Sequence, residues 1–428
     1  MKRIIAWLLL SALLLTGCAA GDLTQTETAG PETMSGETVT QKEEKKMPKG
    51  MVPTERPNFT FDHEPTVDEL RGMAIEAMRA DLSFHWSPAR TLMYNKTGAH
   101  SDKDFIFEAG VLFGGLPYTN AGGGIFQMME YIDPETGVFD GIDPQSINSM
   151  FGNTCAEGVE WGWRAVAGKV NAVPTYTMLI ANGFLPVGEY KYDHSITDYR
   201  NDGCGSPLIC QQNGEQVMYR SYAALLPADG VVSSGENSVT HAMMVIEKPT
   251  VVYKADGTID GKASTVVVQD QRTGGRPTNK HGFPVQEDGA TYYYSGRTSA
   301  TETFESLLGS GYLPVTIPLF TGEEKYEPSS VTLSETAADY HALKTSGAVI
   351  TSNFTICVVR AELKDEAGNV VSTRSRTTSS SNIKDGTAYE YPAIDLPMPS
   401  GKSGTVTLTV VTADGADHVL GEFPLGSR

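Results

Sequence analysis

The sequence predicts a mixed α+β module, with a helix packed on an antiparallel sheet, followed by an all-β sandwich. Three observations carry that reading. "PTVDELRGMAIEAMRAD", residues 65–81, sets Val67, Leu70, Met73, Ala74, Ala77 and Met78 at helical spacing behind Thr66 and Glu69 in capping-box positions. From residue 215 the pattern changes to strands, and residues 241–271 hold two apolar, β-rich runs around the turn-forming "ADGTIDG". Near the C-terminus Val406, Leu408 and Val410 alternate with threonines, as in a strand with one buried face.

In chain order, residues 1–18 read as an export signal. Lys2 and Arg3 precede an apolar run of twelve residues, Ile4 to Leu15. Such a run is too short to cross a hydrocarbon core of roughly 30 Å. It ends in Leu15-Thr16-Gly17-Cys18, which resembles a bacterial lipobox. That resemblance implies cleavage before Cys18 and a diacylglyceryl anchor on its thiol, holding the protein at the extracellular face of the bacterial cell membrane. An ordinary secretory signal with an incidental cysteine is the alternative. Residues 19–60 are rich in Thr, Glu, Gly, Lys and Pro and nearly lack aromatics, the composition of a disordered tether.

The chain carries 52 acidic against 33 basic residues, a formal net charge of -19. Loss of Lys2 and Arg3 with the signal deepens that excess. Such a surface repels phosphate backbones, so a nucleic-acid partner is excluded from the expectations. It also disfavours electrostatic docking on anionic headgroups, which leaves the lipid as the means of attachment.

Residues 61–322 form the predicted α+β domain. "TGEEKYEPSS", residues 321–330, is a charged, proline-containing joint. Beyond it, residues 326–428 read as strand pairs. "FTICVVRAELKDEAGNVVSTRSRT" turns at "DEAGN", and "GTVTLTVVTADGADHVLGEF" turns at "ADGAD". A segment of this size and pattern resembles an immunoglobulin-like β-sandwich. No catalytic grouping occurs in it.

Four cysteines remain after Cys18. Cys204 and Cys210 flank "GSPLI", a spacing that would close a small disulfide loop in an oxidising exterior, with two reduced thiols as the alternative. Cys357 lies in an apolar run and reads as core. With no CxxC and no neighbouring histidine, neither a metal nor another cofactor is expected. Cys155, in "GNTCAEGVEWGW", differs. A helix starting near Thr154 would put Cys155, Val159, Gly162, Trp163 and Val166 on one face, with Gly158 and Gly162 small enough for close packing. The unpaired N–H groups and positive end of such a helix stabilise a thiolate, and can cradle an oxyanion. A buried structural cysteine is the alternative. Trp163 falls on the core face; Trp161 lies off it.

A nucleophile needs a base. His63, His85, His100, His194 and His281 fall in polar or irregular stretches, and His341 and His418 in the β-sandwich. Only His241 opens a strand-like run, "HAMMVI", the placement that lets an imidazole meet a helix N-terminus. The hairpin about "ADGTIDG" returns its second strand, "VVVQDQR", beside His241. Asp270 and Gln271 are both candidates to orient the imidazole. Alternation puts them on opposite faces, so spacing does not choose, and Asp270 is favoured because its charge would best stabilise an imidazolium.

"GGLPYTNAGGG", "GNTCAEGVEWGW" and "HAMMVI" occur in the order found in NlpC-like cysteine peptidases, a papain-related family of bacterial wall endopeptidases, and the chain resembles a divergent lipoprotein member. The resemblance covers roughly residues 65–320. It implies a papain-like fold, with Cys155 as nucleophile, His241 as base and Asp270 or Gln271 as orienter. It further implies that Tyr118 contacts substrate or oxyanion, and that the partner is a cell-wall peptide or peptidoglycan fragment. Thr154 and Ala156 depart from the family's Asp and Ser on either side of the cysteine. "YIDPETGVFDGIDP", residues 131–144, reads as an inserted loop over the cleft. A non-catalytic cell-wall-binding lipoprotein that keeps the fold is the rival expectation. A solute-binding lipoprotein predicts two similar α/β lobes, which the all-β tail opposes.

Overall fold

The computed structural model describes residues 46–94, 105–119, 122–140, 152–168, 170, 183–192, 205–235, 240–272, 282–378, 388–396 and 403–426. Among them the chain is mixed α+β, with several antiparallel sheets and few helices. It opens with α1 (Val67–Ser83), β1 (His85–Pro88), β2 (Leu92–Tyr94), β3 (Phe105–Phe107) and β4 (Leu112–Gly114). A short α2 (Ile125–Met129) and β5 (Val138–Phe139) then precede α3 (Cys155–Ala167). Thr66 caps α1, and Glu69 completes the capping box.

Next come β6 (Leu185–Pro186), α4 (Ser206–Asn213), α5 (Glu215–Ala223), β7 (Gly230–Ser233), β8 (His241–Val245) and β9 (Thr265–Gln271). The first module closes with β10 (Phe283–Glu287), β11 (Ala290–Tyr294), β12 (Gly296–Thr303), α6 (Phe304–Gly309), β13 (Leu313–Thr316) and α7 (Pro318–Thr321). Its centre is an antiparallel sheet of order β12-β9-β8-β7-β13-β6. Leu70, Ala74 and Met78 of α1 and Val159 and Trp163 of α3 share one core with Met244 and Val268 of that sheet. A Cβ on Gly162 would lie 2.7 Å from Met244 Cε and 2.8 Å from the Ala74 carbonyl oxygen. Glycine is therefore what lets α3 press against α1 and the sheet at once. Trp163 is fully buried, its indole N–H donating to the Ala228 carbonyl at 2.8 Å.

A second sheet, β10-β11-β4-β1-β5, is mixed. Its edge strand β5 corrects the expectation for residues 131–144. Val138 and Phe139 are apolar enough to be drawn inward, and Phe139 packs on Trp86 with ring centroids 5.8 Å apart. Val138 and Phe139 thus form a sheet edge where a loop was expected; residues 141–144 lie outside the described set.

The C-terminal module comprises β14 (Val331–Leu333), α8 (Tyr340–Thr345), β15 (Val349–Ser352), β16 (Ile356–Asp365), β17 (Val370–Thr377), β18 (Ala388–Glu390), β19 (Gly404–Thr412) and β20 (Asp417–Leu425). Two antiparallel sheets, β14-β15-β18 and β17-β16-β19-β20, enclose Ile350, Val359, Leu363, Val406, Leu408 and Val410. The inward residues of β19 are those its alternation marks.

The two modules share a further core. Trp161 and Ala165 of α3 and Phe126 of α2 meet Cys357, Val358, Val411 and Ala413 there. Glu130 pairs with Arg360 and accepts from the Ser375 hydroxyl at 2.7 Å across the same seam. Residues 46–60 correct the expected extent of the tether. Met51 and Phe59 are buried, the Phe59 N–H donates to the Asp414 carbonyl at 2.8 Å, and Arg56 forks onto Asp417. These side chains find partners on both modules, which local composition does not reveal. Residues 19–45 lie outside the described set. No helix among the described residues is long and apolar enough to cross a membrane.

Candidate active site

Cys155 is the first residue of α3. Thr154 caps the helix, and its own backbone N–H donates to Glu157 Oε2 at 2.7 Å, so the helix starts at the sulfur-bearing residue. The chain just ahead is pinned twice. Tyr118 and Asn153 form a parallel bridge, with Thr119 N–H donating to the Asn153 carbonyl and Asn153 N–H to the Pro117 carbonyl, both at 3.2 Å. That bridge brings the Tyr118 hydroxyl to 3.9 Å from Cys155 Sγ. From the end of α1, the Asp81 carboxyl group accepts from Asn153 Nδ2 at 3.0 Å and from the Ile125 N–H at 2.9 Å.

His241 opens β8, as its position in the sequence predicts. The β8–β9 register pairs Met244 with Gln269 and Val245 with Val268. Continuing it puts Asp270 on the face of His241 and Gln271 on the opposite, helix-covered face. The two candidates separate accordingly. Asp270 Oδ2 lies 2.8 Å from His241 Nε2, whereas Gln271 Nε2 donates to the Leu116 carbonyl at 2.8 Å and anchors the segment carrying Tyr118. Asp270 is thus the candidate that meets the His241 imidazole; Gln271 supports Tyr118's segment.

Arg297, directly across the β12–β9 pair, places a fork on Asp270, with Nε 2.7 Å from Oδ1 and Nη2 3.0 Å from Oδ2. Spacing does not reveal it, because a bulge between Arg297 and Ala300 breaks the register by which one would count to it. Asp81 was equally hidden, as one polar residue at the end of an amphipathic helix.

The electrostatics follow from these contacts. Burial pushes the Cys155 thiol up, but the hydrogen bond and charge of His241, the Ala242 backbone N–H and the Tyr118 hydroxyl outweigh it, and the thiol ends below its ordinary value. Burial opposes a charge on His241, yet hydrogen bonds with Asp270 and Cys155 raise the imidazole to about 9. With Nε2 on Asp270, Nδ1 is left for the sulfur. Burial likewise works against an ionised Asp270; the bonds from His241 and Arg297 prevail and hold its carboxyl low. Both shifts favour a thiolate–imidazolium pair over the neutral pair.

Beside this pair lies a cleft of about 480 Å³, lined among others by Tyr118, His241, Asp270, Arg272, Arg297 and Tyr312. Cys155 is 5% exposed and does not line the cleft itself; it reaches the lining through Tyr118, whose hydroxyl lies 3.9 Å from its sulfur, and through His241.

Other site residues fall elsewhere. Cys18 and Cys204 lie outside the described residues. Cys210 is a free, buried thiol on α4, facing the Tyr312 carbonyl at 3.6 Å and pushed by burial up to about 12. Within "GSPLI" a helix starts at Ser206, with Pro207 in its first turn. Among the described residues no group of His, Cys, Asp or Glu could hold a metal ion. No protein family, curated protein or solved structure matches the chain.

Proposed function

We propose that this chain is a lipid-anchored, extracellular cysteine hydrolase, papain-like and similar to NlpC-like peptidases, that cleaves peptide or amide bonds in peptidoglycan stem peptides. One observation carries the reading: a thiol at a helix N-terminus, lowered by His241, whose far nitrogen is held 2.8 Å from a buried aspartate. The cysteine helix packed on an antiparallel sheet supports the papain-like assignment, and the three- and four-stranded sheets of the second module support an immunoglobulin-like one.

In this mechanism the Cys155 thiolate attacks the carbonyl carbon, and the oxygen becomes an oxyanion facing the N-terminus of α3 and the Tyr118 hydroxyl. The His241 imidazolium gives its proton to the leaving amine, and the C–N bond breaks to leave a thioester. His241 then takes a proton from water, whose oxygen attacks the thioester, and the acid product departs as the thiolate and imidazolium are restored. Asp270 holds the imidazole in the required orientation throughout.

The test is to incubate the purified ectodomain with muropeptides and look for new free amines by mass spectrometry. Cleavage by the parent that is lost in Cys155→Ala and His241→Ala is the expected result. The burial of Cys155 and the presence of Thr154 and Ala156 favour a second reading, a cell-wall binder without turnover. Binding of muropeptides with no new amine would establish that reading over the first.

A further inference from the structure

Asp270 has more partners than an orienting carboxylate needs. Its Oδ2 is shared between His241 Nε2 at 2.8 Å and Arg297 Nη2 at 3.0 Å, while Oδ1 takes Arg297 Nε at 2.7 Å. The carboxylate is 0% exposed and the guanidinium 28%. The bulge that follows Arg297 in β12 ends the regular ladder beside this contact. Such a fork fixes the carboxylate in plane and also brings a permanent positive charge.

We propose that Arg297 is a positioning residue whose charge lets Asp270 and Cys155 both stay ionised around the single imidazolium of His241; the inference rests on the cysteine-hydrolase reading above. The core of the site then holds two anions, Asp270 and Cys155, and two cations, His241 and Arg297. Without Arg297, two buried anions share one imidazolium. Asp270 is the stronger acid and keeps its bond to His241, so the thiolate takes up the proton.

The other groups facing the cluster do not replace Arg297. Glu302 lies 3.6 Å from Arg297 Nη2 with its side chain 24% exposed, and adds negative charge. Arg272 lines the cleft but has no contact with Asp270. Tyr118 and Tyr312 are raised by burial and stay neutral in the working range.

The experiment follows the pH dependence of Cys155 alkylation by iodoacetamide, with thiolate ultraviolet absorbance and thermal melting on the same purified ectodomains. In the parent, alkylation persists below pH 7. In Arg297→Gln the acid limb moves up by about one pH unit, and the rate at pH 6 falls about tenfold. Arg297→Lys keeps the charge and loses the fork, so its limb stays within about half a unit of the parent. The double variant Asp270→Asn with Arg297→Gln removes one anion and one cation; its limb returns toward the parent's, and it keeps the test open should Arg297→Gln fold poorly. If Arg297→Gln and Arg297→Lys both melt lower while the limb stays in place, Arg297 is only a strut and the inference is overturned. A parent thiol that titrates as a free cysteine overturns both the inference and the hydrolase reading.

Discussion

Asp81 and Asn153 meet side chain to side chain at 3.0 Å in the interior, two residues ahead of Cys155. Asp81 also accepts from the Ile125 N–H through its carboxyl group and from the Leu116 N–H through its backbone carbonyl. One residue at the end of α1 therefore ties three loops that frame the site. Burial raises its carboxyl to about 8 against the two bonds it accepts, and no cation among the described residues offsets it.

A stability profile follows from that shift. In the unfolded chain Asp81 ionises near 3.8, whereas in the fold it holds its proton to about 8. Its contribution is therefore full below about pH 4, declines as pH rises toward 8, and is absent above. The slope is at most about 1.4 kcal/mol per pH unit. Urea midpoints measured from pH 5 to 8 should fall less steeply in Asp81→Asn than in the parent. Parallel profiles would mean that Asp81 is already ionised in the fold.

His241→Ala should remove the cation that offsets the burial of Cys155. The thiol then returns to or above the ordinary cysteine value near 8.5. At pH 6.5 the alkylation rate should fall about 100-fold, with the thermal midpoint little changed because His241 is partly exposed at the cleft. The parent should keep its imidazolium until about pH 9. An equal rate in the two proteins would show that the helix N-terminus alone activates the sulfur.

Much of this was legible from local pattern. The helix start near Thr154, the apolar face of α3 and the strand opened by His241 are short-range signals, and they place Cys155 and His241. Spacing could not choose between Asp270 and Gln271, because that depends on a cross-strand register that adjacent residues do not encode; only the charge of Asp270 favoured it. Arg297 lay further off, behind a bulge. The packing of Trp161 against the second module was hidden for another reason. Its partners Val358 and Val411 lie roughly 200 residues away or more, and helical spacing marked it only as off the main face.

Trp161→Ala should therefore act on the seam between the modules. Trp161 is buried among Phe126, Val358 and Val411, with the Arg164 guanidinium over its ring at 5.0 Å. Truncating a buried tryptophan costs about 3–5 kcal/mol. The variant should unfold at lower temperature, and trypsin should cut sooner in the joint at residues 322–330. A loss below about 1 kcal/mol would assign the seam to Glu130 and Arg360 instead.

Gly152→Ala should disturb the site without altering Cys155, His241 or Asp270. Gly152 has φ +142°, and a Cβ there would lie 2.2 Å from the Pro117 carbonyl oxygen and 2.8 Å from Thr119 Oγ1. The first of these is backbone, held by the bridge between Tyr118 and Asn153, so it cannot swing aside as a side chain would. Relief requires the segment carrying Tyr118 to part from the start of α3, which withdraws a hydroxyl that lowers the Cys155 thiol. The strained φ and lost bridge together should cost about 2 kcal/mol or more. The acid limb of alkylation should move up with the loss of the Tyr118 bond. Melting and alkylation curves that both match the parent's would mean that residues 117–119 do not lie against residues 152–153 in solution.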